Sequence, residues 1–379
     1  MWIRSTKTMR VVLAVMLAEP LFFAGTGECA AQELELVSRG APDSVVGGVA
    51  LVDGEVTAFY TARGGPDGEA RPAAAQGYRE GQNPGERVVT SPDGSRTGRV
   101  SYGEGEAGRV LTRFVAEGPE GGAVELSVEG PARFLLSDDG STIAAVAQDI
   151  HAPGDGRVVL FDGGGERLGE LEQPRLRQAA LAADGSRLVV NTGSDGVLVL
   201  DRRGEVLHRL PRASDVKVSP DGAWVALLGG NATTLYRAGE EAARISTEVT
   251  ARDAAFDAAG EHVAVADRGS LRLVETATGR VLFERPAPRG WEYRSVDVGP
   301  AGVLAGLLKL ERRRSRKGSG RALAEVVLLD RNGDVSWRTE LTPDAWNRST
   351  PEVHFFEGGA QAAVVTRNAV YRFTPPGQR

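Results

Sequence analysis

Five arginines occupy one position relative to a recurring glycine turn. Arg87, Arg133, Arg177, Arg252 and Arg294 each lie six or seven residues before it, and Arg212 and Arg348 are looser candidates. Guanidinium groups gathered at one opening would take carboxylate or phosphate groups through charge and paired hydrogen bonds. The same spacing also allows them to pair with acids such as Asp215 and Asp253 and staple neighbouring units. A second cationic feature is the run Glu311–Ala322, in which Arg312, Arg313, Arg314, Arg316, Lys317 and Arg321 form a basic loop on an acidic chain. It suits either a solvated loop or contact with an anionic cell-envelope surface. Trp291, with Tyr293, and Trp346 are aromatic candidates for ligand stacking, or for packing against a neighbouring unit.

Other chemistry is sparse. Of the four histidines, His208, His262 and His354 fall on strands, and only His151, near Asp149 and Asp155, sits in a loop where a metal is conceivable. No metal site and no cofactor is expected. The chain has neither a paired-histidine zinc motif, nor a Gly-Lys phosphate loop, nor a Gly-x-Ser-x-Gly elbow. The single cysteine, Cys29, lies in the leader, after Glu28, where a lipid anchor would want a small residue. No catalytic residue is assigned.

The elements that must position these side chains are repeated. The clearest copy is Asp215–Gly230, DVKVSPDGAWVALLGG: an apolar strand, Ser-Pro-Asp-Gly, and a second apolar strand. Proline presets the second turn position, Asp suits the third, and glycine takes the left-handed fourth. Related turns fall at Asp93, Asp139, Asp184, Asp221, Ala259, Ala301 and Gly358, spaced 46, 45, 37, 38, 42 and 57 residues apart. A second hairpin follows in each, as in Gly196–Leu210 and Ala324–Leu341. A period of about 40–45 residues suits four strands per unit. Calling these strands a to d, seven units make an all-β, seven-bladed β-propeller of four-stranded blades. Alanines at 179, 180, 182, 254 and 255 suit the narrow axis. The last unit has only three strands. An N-terminal strand is therefore expected to close the ring, drawn from segment 32–60 and most naturally from Gly48–Tyr60.

These repeats resemble the WD-repeat-like and YVTN-type bacterial propeller families, in their Ser-Pro-Asp-Gly variant. The resemblance covers Arg87 to about Pro376, although most units lack the Trp-Asp dipeptide; Asp162, Asp201, Glu275 and Asp330 sit near the place of its acid. It implies fold. The families it points to include partner-binding scaffolds, periplasmic interaction proteins, lactonases and quinoprotein-like enzymes, and it does not choose among them.

The rest of the chain frames that fold. Residues 1–31 read as a signal peptide: Arg4, Lys7 and Arg10 precede the apolar Val11–Leu17, and Cys29-Ala30-Ala31 offers a cleavage site. An exported protein, periplasmic or extracellular, with no transmembrane segment after cleavage is expected. Residues 61–86 are rich in Gly, Pro and charge and read as a linker; the propeller takes 87–379. A net charge of −6 excludes indiscriminate nucleic-acid binding. In this strand order the a–b and c–d turns share one side of the disc, and the longer d–a and b–c loops share the other. Variable loops on a rigid frame carry function. The expectation is a monomeric, non-enzymatic scaffold, with a protein or anionic ligand docked on the d–a/b–c face. A lactonase-like hydrolase at the channel mouth, acting on an anionic small molecule, is the alternative, and a quinoprotein-like dehydrogenase comes third.

Overall fold

The computed structural model describes residues 34–39, 44–52, 55–62, 87–91, 96–105, 110–117, 122–147, 156–173, 175–193, 195–247, 249–311, 321–341, 351–356, 361–366 and 369–375. They form seven four-stranded antiparallel sheets and one two-stranded sheet. The seven sheets are the blades of a β-propeller. Blades 1 to 6 follow the chain as 87–129, 132–172, 178–210, 215–246, 253–286 and 291–341. Blade 7 combines Glu352–Phe356, Gln361–Val365 and Ala369–Phe373 with Glu35–Arg39. Among the described residues no helix is long and apolar enough to cross a membrane.

The turn phrase is explained by its hydrogen bonds. In blade 4 the Gly222 N–H donates to Ser219 O at 2.9 Å, closing the turn. The Ser219 hydroxyl donates to Asp221 Oδ1 at 2.6 Å and accepts from the Trp224 N–H at 2.9 Å; Asp221 Oδ1 also takes the Ala223 N–H at 3.0 Å. Ser137 and Asp139 do the same in blade 2, binding Ser141 N–H and Thr142 N–H. Serine first and aspartate third are therefore a paired cap on two backbone N–H groups in each turn. Backbone bonds then link turn to turn between blades, from Asp138 N–H to Ala183 O (2.8 Å) and from Asp184 N–H to Pro220 O (3.0 Å). On the c–d side, Asp162, Asp201 and Asp330 each accept two backbone N–H groups of their own turn, at 2.8–2.9 Å. Three of the four acids near the Trp-Asp place are thus turn caps; the fourth, Glu275, accepts the Thr278 hydroxyl and pairs with Arg280.

The core is divided among the gaps between blades. Separate apolar clusters join blades 1–2, 2–3, 3–4, 4–5, 5–6 and 6–7. Phe114 stacks on Phe134 at 4.6 Å between blades 1 and 2, and Trp337 on Phe373 at 4.4 Å between blades 6 and 7. Middle strands are buried on both faces, as in Thr142–Ala147 and Leu188–Asn191. This is why the sequence shows continuous apolar runs there in place of alternation.

Closure of the ring follows the expected principle with a different strand. Glu35–Arg39, and not a strand within Gly48–Tyr60, pairs antiparallel with Ala369–Phe373. Arg372 clamps the joint through Glu35 Oε2 at 2.9 Å. Ser44–Val52 and Glu55–Ala62 instead pair with each other, Val52 opposite Glu55 across a two-residue connection. A tight hairpin satisfies its strands locally at little loop-closure cost. The isolated strand before it has no local partner, so it takes the open edge. The hairpin lies at the seam between blades 7 and 1. Val56 packs with Phe356, Ala363, Val365 and Val370 of blade 7, while Ser44–Val52 runs beside Arg87–Thr90 of blade 1.

Gly222 has φ +68°, and an added Cβ would meet Ser186 Oγ and the Arg187 side chain. Gly222→Ala is expected to lower the unfolding free energy by about 1–2 kcal/mol. Gly103→Ala, where a Cβ meets nothing within 4 Å, should change it by less than about 0.5 kcal/mol. Equilibrium urea denaturation of both variants measures the difference.

Candidate functional site

Two groups of charged side chains occupy the axial end of the blades. The first lies where blades 5 and 6 meet on the d–a/b–c face. Arg252 immediately precedes the inner strand Asp253–Phe256, and its N–H donates to Ala266 O at 2.7 Å. Arg268 sits in the b–c loop just beyond Ala266. That loop is held rigidly: the carboxylate of Asp267 is fully buried and accepts the Gly269 and Ser270 N–H groups at 2.7 Å. Asp267 also pairs with Arg272 at 3.2 Å. Ala287 N–H donates to Gly269 O, fastening the loop to the chain entering blade 6.

From blade 6, Arg294 and Glu292 complete the group. They stand in the inner strand Trp291–Gly299, where its register shifts between Tyr293 and Ser295. Arg294 Nη2 lies 2.7 Å from Glu292 Oε2, and Arg268 Nε lies 3.9 Å from the same oxygen. Arg252 is exposed and has no acceptor among the described residues. Its pKa is pushed below the ordinary arginine value, first by burial and then by the Arg268 and Arg294 guanidiniums, with Glu292 opposing. Three guanidiniums therefore share one carboxylate.

The second group lines the axis on blades 4 to 7. Lys217 Nζ contacts Asp253 Oδ1 at 2.6 Å, joining blade 4 to blade 5. Asp253 Oδ2 accepts the Val296 N–H of blade 6 at 3.1 Å, and Asp297 Oδ2 accepts the Phe355 N–H of blade 7 at 2.7 Å. The innermost strand of a blade has one unpaired backbone edge, and these carboxylates satisfy it across the gap. Asp215, Asp253 and Asp297 also each take the N–H of the following residue, at 2.7–3.0 Å. Burial would depress the Lys217 pKa, but Asp253, then Asp215 and Asp297, hold it above its ordinary value. Burial raises the pKa of Asp297; His354 and the two N–H donors offset part of the rise, and Asp253 adds to it.

The arginines expected as one ring are divided. Arg252 and Arg294 come together. Arg133 is exposed on the inner strand of blade 2, and Arg177 is exposed before that of blade 3, its Nε packed where a Cβ on Gly193 would fall at 2.6 Å. Arg87 begins the inner strand of blade 1 opposite Val100, and Arg212 is exposed before blade 4. Asp253 is taken by Lys217 and backbone N–H groups, so it is no arginine's partner. Trp291 is half-buried against the blade 5–6 core with Lys309 Nζ 5.9 Å from its ring, and Tyr293 is buried, its pKa pushed by burial up to about 12. Both pack between blades. Trp346, Arg348, His151 and the basic loop Arg312, Arg313, Arg314, Arg316 and Lys317 lie outside the described residues, and Arg321 is described only as the first residue of a strand. Among the described residues no group of His, Cys, Asp and Glu is placed to hold a metal.

Sequence reasoning missed Arg268, Glu292 and Lys217. Arg268 is concealed in a three-residue loop away from the repeat phrase. Lys217 is detectable by its alternation with Asp215, which places both on one side of the inner strand.

No protein-family model matches the chain, and none of the curated proteins does. Among solved structures, a chain of Kuenenia stuttgartiensis hydrazine synthase is similar, with a TM-score of 0.46 and 20% identity over 62% of this chain and 73% of that one. A likeness this remote bears on no function, and the propeller rests on its own sheets.

Two outcomes follow for the axial group. Asp253→Ala leaves Lys217 without its partner and should cost about 2–3 kcal/mol, and Lys217→Met in the same background should recover part of it; a double-mutant cycle in urea reads the coupling. Asp297 titrates higher folded than unfolded. Its contribution is therefore complete below the ordinary carboxylate range and is lost as pH rises through the raised value. The stability difference between wild type and Asp297→Asn, followed from pH 3 to pH 8, should shift against the wild type as pH rises, approximate range set by carboxylate titration.

Proposed function

We propose that the protein is a non-enzymatic binding scaffold that takes an anionic ligand, or an anionic surface of a partner protein, on its d–a/b–c face. The observation that carries this reading is Arg252, without a side-chain acceptor among the described residues, in the field of Arg268 and Arg294. Gathering like charges costs free energy that an anion returns. The frame supports it: Asp267 fixes the loop of Arg268, and the blade 5–6 core fixes the strand of Arg294. A preorganised site loses little entropy on binding. The repeat phrase suits a WD-repeat-like or YVTN-type scaffold, and the amino-terminal pattern suits an exported one working in the periplasm or outside the cell.

A hydrolase at the channel mouth would have to draw on the axial acids and His354. Asp253 and Asp297 are engaged by backbone N–H groups and Lys217, so no observation favours a general base among them.

A thermal-shift screen of organic anions, phosphorylated compounds, sugars and divalent metals tests the scaffold reading. An anion at a hundred times its dissociation constant should stabilise the protein by about 2.7 kcal/mol. Simultaneous replacement of Arg252, Arg268 and Arg294 by Ala should abolish the shift. An equal shift in that variant would refute the reading.

A further inference from the structure

We propose that the blade 5–6 cluster is a specific site for one dianionic tetrahedral oxyanion, of the phosphate-monoester kind, held by Arg252, Arg268 and Arg294. This rests on the proposed anion-binding function and names its ligand chemistry and place. Counting charge, three guanidiniums and Glu292 leave a surplus of two positive charges within one group. A dianion balances it, whereas a monocarboxylate leaves one cation uncompensated.

The distribution of partners points the same way. Glu292 Oε2 lies 2.7 Å from Arg294 Nη2 and 3.9 Å from Arg268 Nε, charge contacts that leave this buried oxygen without a hydrogen bond among the described residues. Arg294 Nε is buried with no acceptor among the described residues, although its Nη2 is paired. Arg268 keeps 54% of its side chain exposed and Arg252 has no side-chain acceptor among the described residues, so N–H donors remain open on these two guanidiniums and one is unsatisfied on Arg294. A tetrahedral oxyanion offers acceptor oxygens in several directions and can meet donors arriving from three sides, while a planar carboxylate matches a single guanidinium fork. The three residues come from separate places in the chain: the d–a connection and the b–c loop of blade 5, and the inner strand of blade 6. The site therefore exists only when the two blades are packed, which ties it to the fold and distinguishes it from a basic run in the sequence. Glu292 sets a lower limit on ligand charge, because it repels an anion that does not supply more attraction than it loses.

Isothermal titration of the full mature chain at low salt with inorganic phosphate, sulfate, succinate and acetate tests this. Phosphate and sulfate should bind in a one-to-one ratio and acetate should not. Arg252→Ala should weaken phosphate about tenfold or more, a charge-assisted contact being lost, while Arg133→Ala on blade 2 leaves it unchanged. Glu292→Gln should tighten phosphate and admit acetate. Acetate binding the wild type as well as phosphate, or phosphate binding that ignores Arg252→Ala, would overturn the proposal. Succinate binding without phosphate would overturn the tetrahedral assignment yet leave the anion-scaffold reading standing. If no anion of the broader screen shifts the wild type, that reading fails with it. Circular dichroism and the thermal midpoint of each variant establish that it is folded.

Discussion

Among the described residues the apolar faces of the blades are buried in the gaps between neighbouring blades, with the amino-terminal hairpin at the seam between blades 7 and 1. The stabilising clusters sit in successive gaps, from Phe114 on Phe134 at one side to Trp337 on Phe373 at the other. An open ring would expose the last of these faces along with an unpaired strand edge. Glu35–Arg39 supplies the edge, bringing the two ends of the propeller together through Glu35 and Arg372. The hairpin Ser44–Ala62 supplies cover for the face, with Val56 set among blade 7 residues. One short segment before the first repeat thus performs both tasks.

The same geometry creates the charged axis. Packing blades radially leaves the inner edge of each first strand without a partner strand. In blades 6 and 7 that edge is met by Asp253 and Asp297 of the preceding blade, and Lys217 balances part of their charge. These polar contacts act across gaps that are otherwise apolar, so they fix the angle between blades as well as holding them together. Where blades 5 and 6 are fixed in this way, the loops above them bring Arg252, Arg268 and Arg294 within reach of each other. The binding proposal is a consequence of the frame: the cluster's members come from two blades, on two connections and one inner strand.

The architecture was legible because the turn chemistry is local. Ser219, Pro220, Asp221 and Gly222 satisfy one another within a few residues, so the phrase can be read, and counted, without knowing the fold. Seven repeats and a missing strand then follow by arithmetic. The closing strand was harder to place, since Gly48–Tyr60 and Leu34–Ser38 both look like strands and only the self-pairing of the hairpin decides between them. The site was partly legible. Spacing marked Arg252 and Arg294 but equally marked Arg133 and Arg177, which stand on other blades. Arg268 and Glu292 have no repeat position at all. Their meaning comes from proximity across a blade gap, which a one-dimensional pattern does not carry. Trp291 and Tyr293 could be read as ligand-stacking or as packing residues; the strand of blade 6 begins at Trp291 and draws both toward the core, so packing holds.

The most direct test of this account is the equilibrium unfolding of a chain beginning at residue 40 beside one beginning at residue 32. Loss of Glu35–Arg39 removes the fourth strand of blade 7 together with the partly buried Leu36 and Val37. The account expects the unfolding free energy to fall by about 3 kcal/mol or more, with early hydrogen exchange in Ala369–Phe373. Unchanged stability and unchanged protection of that strand would contradict the claim that the amino-terminal strand closes the ring.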